Sequence, residues 1–507
     1  MKKIILLQIV IIAIFYGFSP SLNAFAAQTS APELPAFPGA EGLGTSTVGG
    51  RGGTLYIVDT LSDNPADGVT FREACEATGP RYVAFSISGH IRLKTTITIT
   101  SPYITIAGQT SPGGVDVSGG MFLITTHDVI VQHMRFRMSS DICDSITKPA
   151  VGNCETYGDS VRIMGTATSG DREAYNVVID HCSMSWGNDE TLDIGGYNGV
   201  TRDVTISHCI IAQGLDDPAP ENKHAYGISL GSRSQAAVST EPTDVSLHHN
   251  YIAHFRDRLP YVVYSGQVNM VNNVIYNWAG RLSMQIQDVT GYKTVKGNFI
   301  GNYTKPGPLT AGMTCDENMA GIFYTPLNIN EHPKPEDGRG QFYTRGNTGC
   351  AGDKVYYGWS QTFVGFLSDA YPTYMSGTPH SIGPAITAST MDLVYAGAVL
   401  ADAGATKPSR DSVDAGFVAD FYNGTGSALP DNHFPANYPK FENPIPDFDS
   451  DNDGLPDRWE IIEFGNLEQG TNGDHDNDGY TNIEEYFHYL GEFKNTQLKT
   501  ITTPAKP

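Results

Sequence analysis

The chain is poor in basic residues. Its 507 residues include 32 Lys and Arg against 55 Asp and Glu, which gives a formal net charge of −23 at pH 7. Proteins that bind nucleic acid carry clustered Lys and Arg side chains that contact phosphates. The sequence contains no basic stripe of that kind. We therefore expect no nucleic acid as a partner.

Long hydrophobic runs are also scarce. Beyond the N-terminus, no segment reaches the roughly 18 apolar residues that a membrane-spanning helix needs. Residues 1–26 combine two lysines, an apolar run and the small-x-small end Ala24-Phe25-Ala26, which is the pattern of a signal peptide. We expect a secreted protein, extracellular or periplasmic, with no membrane anchor, and we expect it to be a monomer.

What the sequence does contain is a repeated apolar pattern. The aligned positions are Ile106, Val131, Ile179, Ile206, Leu247, Met270 and Val295, with spacings of 25, 48, 27, 41, 23 and 25 residues. We interpret the spacing of 48 as two coils and the spacing of 41 as one coil with an inserted loop. Such a period is typical of a right-handed parallel β-helix, an all-β solenoid whose coils bury one face by stacking. A β-sandwich or a propeller is the alternative, but propeller blades run to about 40 to 45 residues.

Cysteine and asparagine share this register. Cys182 and Cys209 fall at equivalent positions of neighbouring coils and are expected to pack in the core. Asn250, Asn273 and Asn298 could form an internal ladder of amide hydrogen bonds. Two other cysteine pairs could each close a surface loop, Cys143 with Cys154 and Cys315 with Cys350.

Three acidic residues fall within one part of the β-pattern. Asp159 lies in YGDSVRI at 157–163, and Asp189 and Asp193 lie in NVVIDHCSMSWGNDETLDIG at 176–195. Carboxylate oxygens gathered in this way are the ligands that Ca²⁺ prefers. Aspartates also cap turns, so the pattern alone leaves metal binding and turn capping open.

The C-terminal segment is strongly acidic. Residues 447–490 hold 13 Asp or Glu against a single basic residue, Arg458. The acids are spaced as in EF-hand loops, with a glycine at the sixth position for the sharp turn. The first loop supplies Asp449, Asp451, Asp453, Asp457 and Glu460, and the second supplies Asp474, Asp476, Asp478, Asn482 and Glu485. We predict that each loop binds Ca²⁺ and leads into a short helix.

These patterns divide the chain into four parts. We expect a signal peptide at 1–26, a β-helix domain at 33–430, a linker at 431–446 and a calcium-binding module at 447–490. The linker has the sequence DNHFPANYPKFENPIP, whose four prolines favour an extended spacer.

Several motifs together resemble those of a known enzyme family. FPGAEGLGTSTVGGRGG, IAGQTSPGG, YGDSVRI and VIDHCS are similar, in this order, to segments of the bacterial pectate lyases of polysaccharide lyase family 1. The resemblance covers residues 33–430 and implies the pectin lyase-like parallel β-helix. The acidic tail resembles the thrombospondin type 3 calcium repeats that many secreted bacterial enzymes carry.

The resemblance assigns roles to individual residues. Asp159, Asp189 and Asp193 match the aspartates of the family's calcium site in the substrate cleft. Arg258, in HHNYIAHFRDRLPYV, matches the catalytic arginine, and Tyr261 stands where a second arginine is usual. A free guanidinium stays protonated at neutral pH, so the role of Arg258 as the base is implied by the resemblance and not by its chemistry.

Three further residues complete the implied substrate site. Lys223 and His224 lie in ENKHAYG, which resembles a loop that bears a substrate-binding lysine, and Arg256 could replace the missing arginine. Glu190 is expected to be a spare acid. His181 of VIDHCS is expected to support the calcium loop, whereas the other histidines of the coil register are expected to pack and not to bind zinc.

The implied activity is the calcium-dependent cleavage of pectate, the acidic polysaccharide of plant cell walls. Ca²⁺ would neutralise a uronate carboxylate, a base would remove the C5 proton, and the bond to O4 would break by β-elimination. Cleavage of (1→4)-α-D-galacturonan would give 4,5-unsaturated oligogalacturonides. Three alternatives stay open: a pectin lyase that acts on methylated polymer, a β-helix hydrolase of the polygalacturonase type with paired carboxylic acids, and a non-catalytic glycan-binding solenoid.

Overall fold

The computed structural model describes residues 34–138, 158–166, 173–197, 199–216, 225–231, 243–263, 266–279, 284–287, 295–310, 322–325, 341–350, 353, 355–359, 362–366, 375–430 and 438–492. The predicted signal peptide lies outside the described residues, as do Lys223, His224, Cys143, Cys154 and Cys315. No helix in the described ranges is long and apolar enough to cross a membrane.

Three long sheets form the fold, and the chain passes from sheet A to sheet B to sheet C and back to sheet A. Strands are numbered in chain order. Sheet A contains β1 Thr54–Val58, β2 Arg81–Phe85, β5 Ile104–Ala107, β8 Val129–Gln132, β12 Val177–Asp180, β16 Val204–Ser207, β20 Thr243–His248, β23 Gly266–Val271, β26 Lys296–Ile300 and β29 Gln341–Arg345. Sheet B contains β3 Gly89–Arg92, β6 Val115–Ser118, β9 Arg135–Arg137, β13 Ser183–Ser185, β17 Ile210–Ala212, β21 Tyr251–Phe255, β24 Val274–Trp278, β27 Tyr303–Lys305 and β30 Thr348–Gly349.

Sheet C completes each turn of the coil. It contains β4 Ile97–Ile99, β7 Phe122–Ile124, β10 Val161–Thr166, β14 Glu190–Tyr197, β19 Tyr226–Leu230, β22 Tyr261–Val263, β25 Met284–Gln287, β28 Ile322–Thr325, β31 Val355–Trp359 and β32 Thr362–Phe366. Its strands pair in parallel except β31 with β32. The predicted parallel β-helix is confirmed.

Short elements complete the described structure. Two small pairs join β11 Glu173–Ala174 to β15 Val200–Thr201 and β18 Leu215–Asp216 to β33 Leu429–Pro430. The helices are α1 Phe71–Glu76, α2 Leu393–Asp402, α3 Ser412–Asn423, α4 Asp457–Glu463 and α5 Asn482–Glu492, with 3₁₀ turns at Leu43–Ser46, Pro65–Asp67, Gly108–Thr110 and Pro308–Thr310.

The strands form because alternate residues face opposite sides of the sheet. In β2, Val83 and Phe85 belong to the interior core, whereas Tyr82 and Ala84 belong to a second apolar cluster outside the coil. The interior core continues through the stacked coils as a column of fully buried Ile, Val and Leu side chains. This stacking is what an isolated coil cannot provide for itself.

The predicted register holds over most of its length. Ile106, Val131, Ile179, Ile206, Leu247 and Met270 are successive partners in sheet A. Two details were wrong. Val131 pairs directly with Ile179, so the spacing of 48 is one long coil, whose extra residues lie between β9 and β10. Met270 pairs with Phe299 and not with Val295, because this coil is four residues longer than we assumed.

The same slip of four residues affects the asparagine ladder. The predicted pair is present, since the Asn250 Nδ2 atom donates to the Asn273 Oδ1 atom at 3.0 Å. The ladder then continues to Asn302 and Asn347, at 2.9 Å for each step. Asn298 is not part of it, because its amide bonds to the Asn269 side chain instead.

The cysteines follow the prediction where the structure describes them. Cys182 and Cys209 are buried free thiols on neighbouring coils, and the backbone N–H of Cys182 donates to the Cys209 Sγ atom at 3.3 Å. Cys75 is also a buried free thiol. Cys350 is disulfide-bonded, and its expected partner Cys315 lies outside the described residues.

Residues 34–53, which we name the N-terminal arm, run across the coils on the outside of sheet A. Backbone N–H groups of Leu43, Gly44, Val48, Gly50 and Gly52 donate in turn to Ser246, Thr205, Asp128, Thr105 and Tyr82 at 2.9 to 3.2 Å. Two glycines permit this close approach: a Cβ atom on Gly44 would lie 2.3 Å from the Val177 carbonyl oxygen, and one on Gly50 would lie 2.0 Å from that of Arg81.

Helices α2 and α3 cover the outside of sheet B. Their apolar residues pack on outward side chains of β17, β21 and β24. Beneath the start of α3, Arg137 is fully buried and contacts three carboxylates, those of Asp116, Asp411 and Asp414. The Arg137–Asp411 and Arg137–Asp414 distances are 2.8 and 2.9 Å. This network ties the helix pair to the coil.

The acidic C-terminal segment packs on the outside of sheet A at the first coils. Leu455, Trp459, Ile483 and Phe487 form one apolar cluster with residues of β2 and β5. Polar contacts surround it: Arg51 pairs with Glu484 at 2.9 Å, and the Tyr82 and Thr481 hydroxyls lie 2.9 Å apart. Residues from 34 onward form one compact unit that includes this segment.

Candidate active site and cation-binding loops

A cluster of acidic, basic and tyrosine side chains lies where consecutive strands of sheet C begin. Glu190 and Tyr226 are the first residues of β14 and β19 and are paired partners, and Tyr261 is the first residue of β22. Asp159 precedes β10 by two residues.

Three carboxylates of this cluster meet at one point. Asp159, Asp189 and Glu190 each bring one oxygen within 4.8 Å of the others. Asp159 is fully buried, and its Oδ1 atom accepts the Glu190 N–H at 3.1 Å. Burial, and then the nearby acidic groups, raise the pKa of Asp159 well above its usual value, against the opposing effect of Arg162. Oxygen donors concentrated in this way fit a hard divalent cation such as Ca²⁺.

Asp193 lies beside this group and is held by an arginine. Arg162 and Asp193 are paired residues of β10 and β14, and the Arg162 Nε atom contacts Asp193 at 3.2 Å and Asp159 at 2.6 Å. The structure therefore places Asp193 next to Arg162, while Glu190 takes the third place in the group of carboxylates. We expected Glu190 to be a spare acid, and its position within this group makes it a further candidate ligand.

Arg258 lies on the other side of Glu190. Its φ of 66° is left-handed, and its side chain is 25% exposed. One terminal nitrogen is ion-paired with the fully buried Glu190 carboxylate. The guanidinium carbon lies 3.8 Å from the ring centroid of Tyr226 and 5.5 Å from that of Tyr261. Glu190 thus connects the group of carboxylates to the predicted catalytic arginine.

Of the other predicted substrate residues, the structure describes Arg256. Arg256 is half-buried in the turn before Arg258, and its N–H donates to the Ala225 carbonyl at 2.9 Å. Lys223 and His224 lie outside the described residues, so their roles stay predictions. Sequence reasoning missed Arg162, although its position three residues after Asp159 was a usable signal.

Four histidines form a stacked column at the turn between sheets A and B. Their rings follow one another at centroid distances of 5.0, 4.7 and 4.9 Å, in the order His133, His181, His208 and His249. His181 and His208 both contact the Asp402 carboxylate of α2, at 3.3 and 2.9 Å. Because nitrogen lone pairs lie in the ring plane, one ion cannot be coordinated in plane by two parallel stacked rings. His181 also pairs with Asp180 at 2.7 Å, so its two ring nitrogens contact Asp180 and Asp402, and its support of the calcium loop stays a prediction.

The two C-terminal loops share one geometry. In each, three aspartates bring one oxygen apiece within 4.8 Å of the others: Asp449, Asp451 and Asp453, and Asp474, Asp476 and Asp478. The predicted turn glycines have positive φ, 93° at Gly454 and 101° at Gly479. Each donates its N–H to the first aspartate of its loop, at 3.0 and 3.1 Å.

The glutamate at the twelfth position completes each loop. Glu460 is fully buried, and neither of its side-chain oxygens has a hydrogen-bond partner within the described part of the chain. Burial and the neighbouring aspartates raise its pKa to about 7. The same causes raise the pKa of Glu485 to about 7. Carboxylates without donors, surrounded by further carboxylates, fit a bound Ca²⁺.

The residue at the ninth position of each loop accepts a backbone hydrogen bond from within the loop. The Asp457 Oδ1 atom accepts the N–H of Ser450 at 2.7 Å, and the Asn482 Oδ1 atom accepts the N–H of His475 at 3.1 Å. The Asn482 amide also donates to the Gly470 carbonyl at 2.9 Å. In each loop this contact braces the second residue through its backbone, and the role of Asp457 and Asn482 as ligands stays a prediction.

Relatives of the chain are found over most of its length. It is 31% identical over 464 residues to a protein named probable pectate lyase C from Aspergillus flavus, which covers 90% of this chain and 94% of the relative. It is 32% identical over 444 residues to the protein of the same name from Aspergillus fumigatus, with 87% and 89% covered. The chain belongs to the pectate lyase family. It is therefore an enzyme, a polysaccharide lyase.

Solved structures give a more distant likeness to this pectate lyase. The cedar pollen allergen jun a 1 covers 72% of the chain and 92% of its own, at 17% identity and a TM-score of 0.47. A Bacillus subtilis pectate lyase mutant covers 75% of the chain and all of its own, at 15% identity and a TM-score of 0.44. No protein-family model matches the chain.

Proposed function

We propose that this pectate lyase is secreted and calcium-dependent, and that it cleaves (1→4)-α-D-galacturonan by β-elimination to 4,5-unsaturated oligogalacturonides. One observation carries the proposal: a group of carboxylates, Asp159, Asp189 and Glu190, lies directly beside Arg258 where central strands of sheet C begin. The signal-peptide pattern of residues 1–26 supports secretion.

Each residue of the site has its own proposed role. Asp159, Asp189 and Glu190 would hold the ion, and Asp193 would keep Arg162 in place beside them. Bound Ca²⁺ would neutralise the uronate carboxylate and stabilise the negative charge that develops when the C5 proton leaves. Arg258 is proposed as the group that takes that proton. The electron pair of the C5–H bond then forms the C4–C5 double bond, and the C4–O4 bond breaks with its pair on O4.

An acidic protein needs local positive charge to bind an acidic polymer. Arg258 is a quarter exposed at the site, and Arg162 has a side chain that is 16% exposed beside the same carboxylates. Both arginines are paired with carboxylates, and Asp159, Asp189, Glu190 and Asp193 outnumber them, so bound cations would have to supply the positive charge that offsets the net charge of −23 at this surface. Lys223 and His224 would add to it if the predicted loop faces the substrate.

The C-terminal loops are proposed as two structural calcium sites. Asp449, Asp451, Asp453 and Glu460 would form the first, and Asp474, Asp476, Asp478 and Glu485 the second. The resemblance to thrombospondin type 3 repeats and the unpartnered buried oxygens of Glu460 support this. These loops lie on sheet A, so their ions would act on stability and not on the reacting sugar.

The test is activity on polygalacturonate, followed by the ultraviolet absorbance of the unsaturated product. Activity should disappear in excess chelator and return when calcium is added back. Reducing ends that form without unsaturated product would indicate a hydrolase and overturn the proposal. Full activity in chelator on methylated polymer alone would indicate a pectin lyase.

A further inference from the structure

Arg258 has a long side chain that must hold its guanidinium at one point if it acts on the substrate. Arginine side chains lose substantial rotamer freedom when they are fixed. A single ion pair to Glu190 restrains one terminal nitrogen but leaves the plane of the group undefined. The site therefore needs a second contact that fixes the orientation of the plane.

Tyr226 provides such a contact. The guanidinium carbon of Arg258 lies 3.8 Å from its ring centroid, which is a close cation–π distance. We propose that Tyr226 is the positioning residue for Arg258, with its ring supporting the guanidinium while Glu190 holds one nitrogen. This inference rests on the proposed role of Arg258 at the substrate.

The backbone fixes the ring relative to both partners. Tyr226 is paired with Glu190 across β14 and β19, and its N–H donates to the Asp189 carbonyl at 3.3 Å. A parallel β-bridge joins Tyr226 to Asp257, the residue before Arg258. Two residues further along β19, the Ile228 N–H donates to the Arg258 carbonyl at 2.7 Å. A displacement of the arginine backbone would therefore carry the ring with it.

Tyr261 serves as an internal comparison. Its ring centroid lies 5.5 Å from the same guanidinium carbon, near the outer limit at which the ring quadrupole attracts a cation. Both tyrosines begin strands of sheet C, and both are half-buried. The two rings thus differ in how closely they contact Arg258.

The contact depends on the face of the ring and not on the phenol hydroxyl. Tyr226→Leu removes the ring, whereas Tyr226→Phe keeps it. We expect Tyr226→Leu to lower kcat on polygalacturonate about tenfold at saturating calcium, with little change in KM, because the loss concerns placement of the arginine and not substrate affinity. Tyr226→Phe should restore most of the turnover, and Tyr261→Leu should lower kcat less than Tyr226→Leu.

Three results would overturn this inference. They are a wild-type kcat for Tyr226→Leu, a loss in Tyr226→Phe as large as in Tyr226→Leu, and a larger kcat loss for Tyr261→Leu than for Tyr226→Leu. The Phe variant shows whether the ring or the hydroxyl is needed, and an unchanged KM in Tyr226→Leu separates misplacement of the arginine from a distorted substrate site. Arg258→Ala separates the two proposals: if it keeps turnover, the role of Arg258 is wrong, whereas an inactive Arg258→Ala beside an unaffected Tyr226→Leu removes only the role of Tyr226.

Discussion

In the absence of calcium, the protein should lose stability as the pH rises from about 4.5 to about 7. Burial and neighbouring aspartates raise the pKa values of Glu460 and Glu485 to about 7 from an ordinary value of 4.5. A carboxyl whose pKa is raised by folding binds its proton more tightly in the folded state than in the unfolded state. The folded state is therefore favoured by protonation, and the penalty for ionising the group grows between these two pH values.

The size of the effect follows from the shifts. A shift from 4.5 to about 7 corresponds to about 3 kcal/mol for each group before solvent screening. Solvent reaches Glu485 and the aspartates around both glutamates, so we expect about 1 to 2 kcal/mol each, or about 2 to 4 kcal/mol for the pair. Bound calcium would remove most of this penalty, because the ionised carboxylates become ligands.

Thermal unfolding followed by circular dichroism can measure this loss of stability with rising pH. In chelator, the melting temperature should fall by several degrees between pH 5 and pH 8, and calcium should restore it at pH 8. The control is the double variant Glu460→Gln with Glu485→Gln, in which the other titrating groups remain. Its fall between the same pH values should be smaller by the amount that the pair contributes. A wild-type protein that is equally stable in chelator at both pH values, or a double variant with the full pH dependence, would refute the reasoning.

Four further outcomes are expected. Arg258→Lys should lose nearly all kcat and keep substrate binding, because lysine presents its nitrogen on a differently shaped side chain; a raised KM with kcat preserved would argue against a catalytic role. Asp189→Asn should lower both calcium affinity, measured by calorimetry, and turnover by orders of magnitude without changing the circular dichroism spectrum. Arg137→Met should destabilise the fold by about 3 to 5 kcal/mol in denaturant titrations, because Asp414 and its neighbours would remain buried without their cation. Deletion of 447–507 should keep measurable cleavage but lower the melting temperature, since it uncovers the outer face of β2; a folded, inactive truncation would show that this segment is needed for catalysis.

The solenoid could be predicted from the sequence because its period is local. Alternating apolar residues and a repeat of 23 to 27 residues specify stacked coils, and the aligned positions from Ile106 to Met270 are partners, although the step of 48 residues is one coil and not two. The insertion before β10 could not be assigned, because an insertion at the coil surface leaves the pairing of Val131 with Ile179 unchanged.

The site could be predicted in composition but not in detail. The motifs that contain Asp159, Asp189 and Arg258 are far apart in the sequence, and the fold brings these residues close to Glu190. The sequence could not show that Glu190, and not Asp193, lies in the group of three carboxylates. That outcome depends on side-chain contacts, since Arg162 contacts Asp193 and Arg258 contacts Glu190. The sequence also could not show that the Asn482 Oδ1 atom accepts the His475 N–H, since an amide oxygen at that spacing suits either a cation or a backbone N–H.

The N-terminal arm has a consequence for the order in which the molecule assembles. A solenoid contacts only its neighbours, so its coils can form one after another as the chain emerges. The arm is made first, yet Leu43 bonds to Ser246, which is made 203 residues later. The arm can therefore reach its final position only after the central coils exist. Once docked, the arm joins coils that are distant along the chain, so these coils must unfold together. A row of nearly independent repeats thereby becomes one cooperative folding unit.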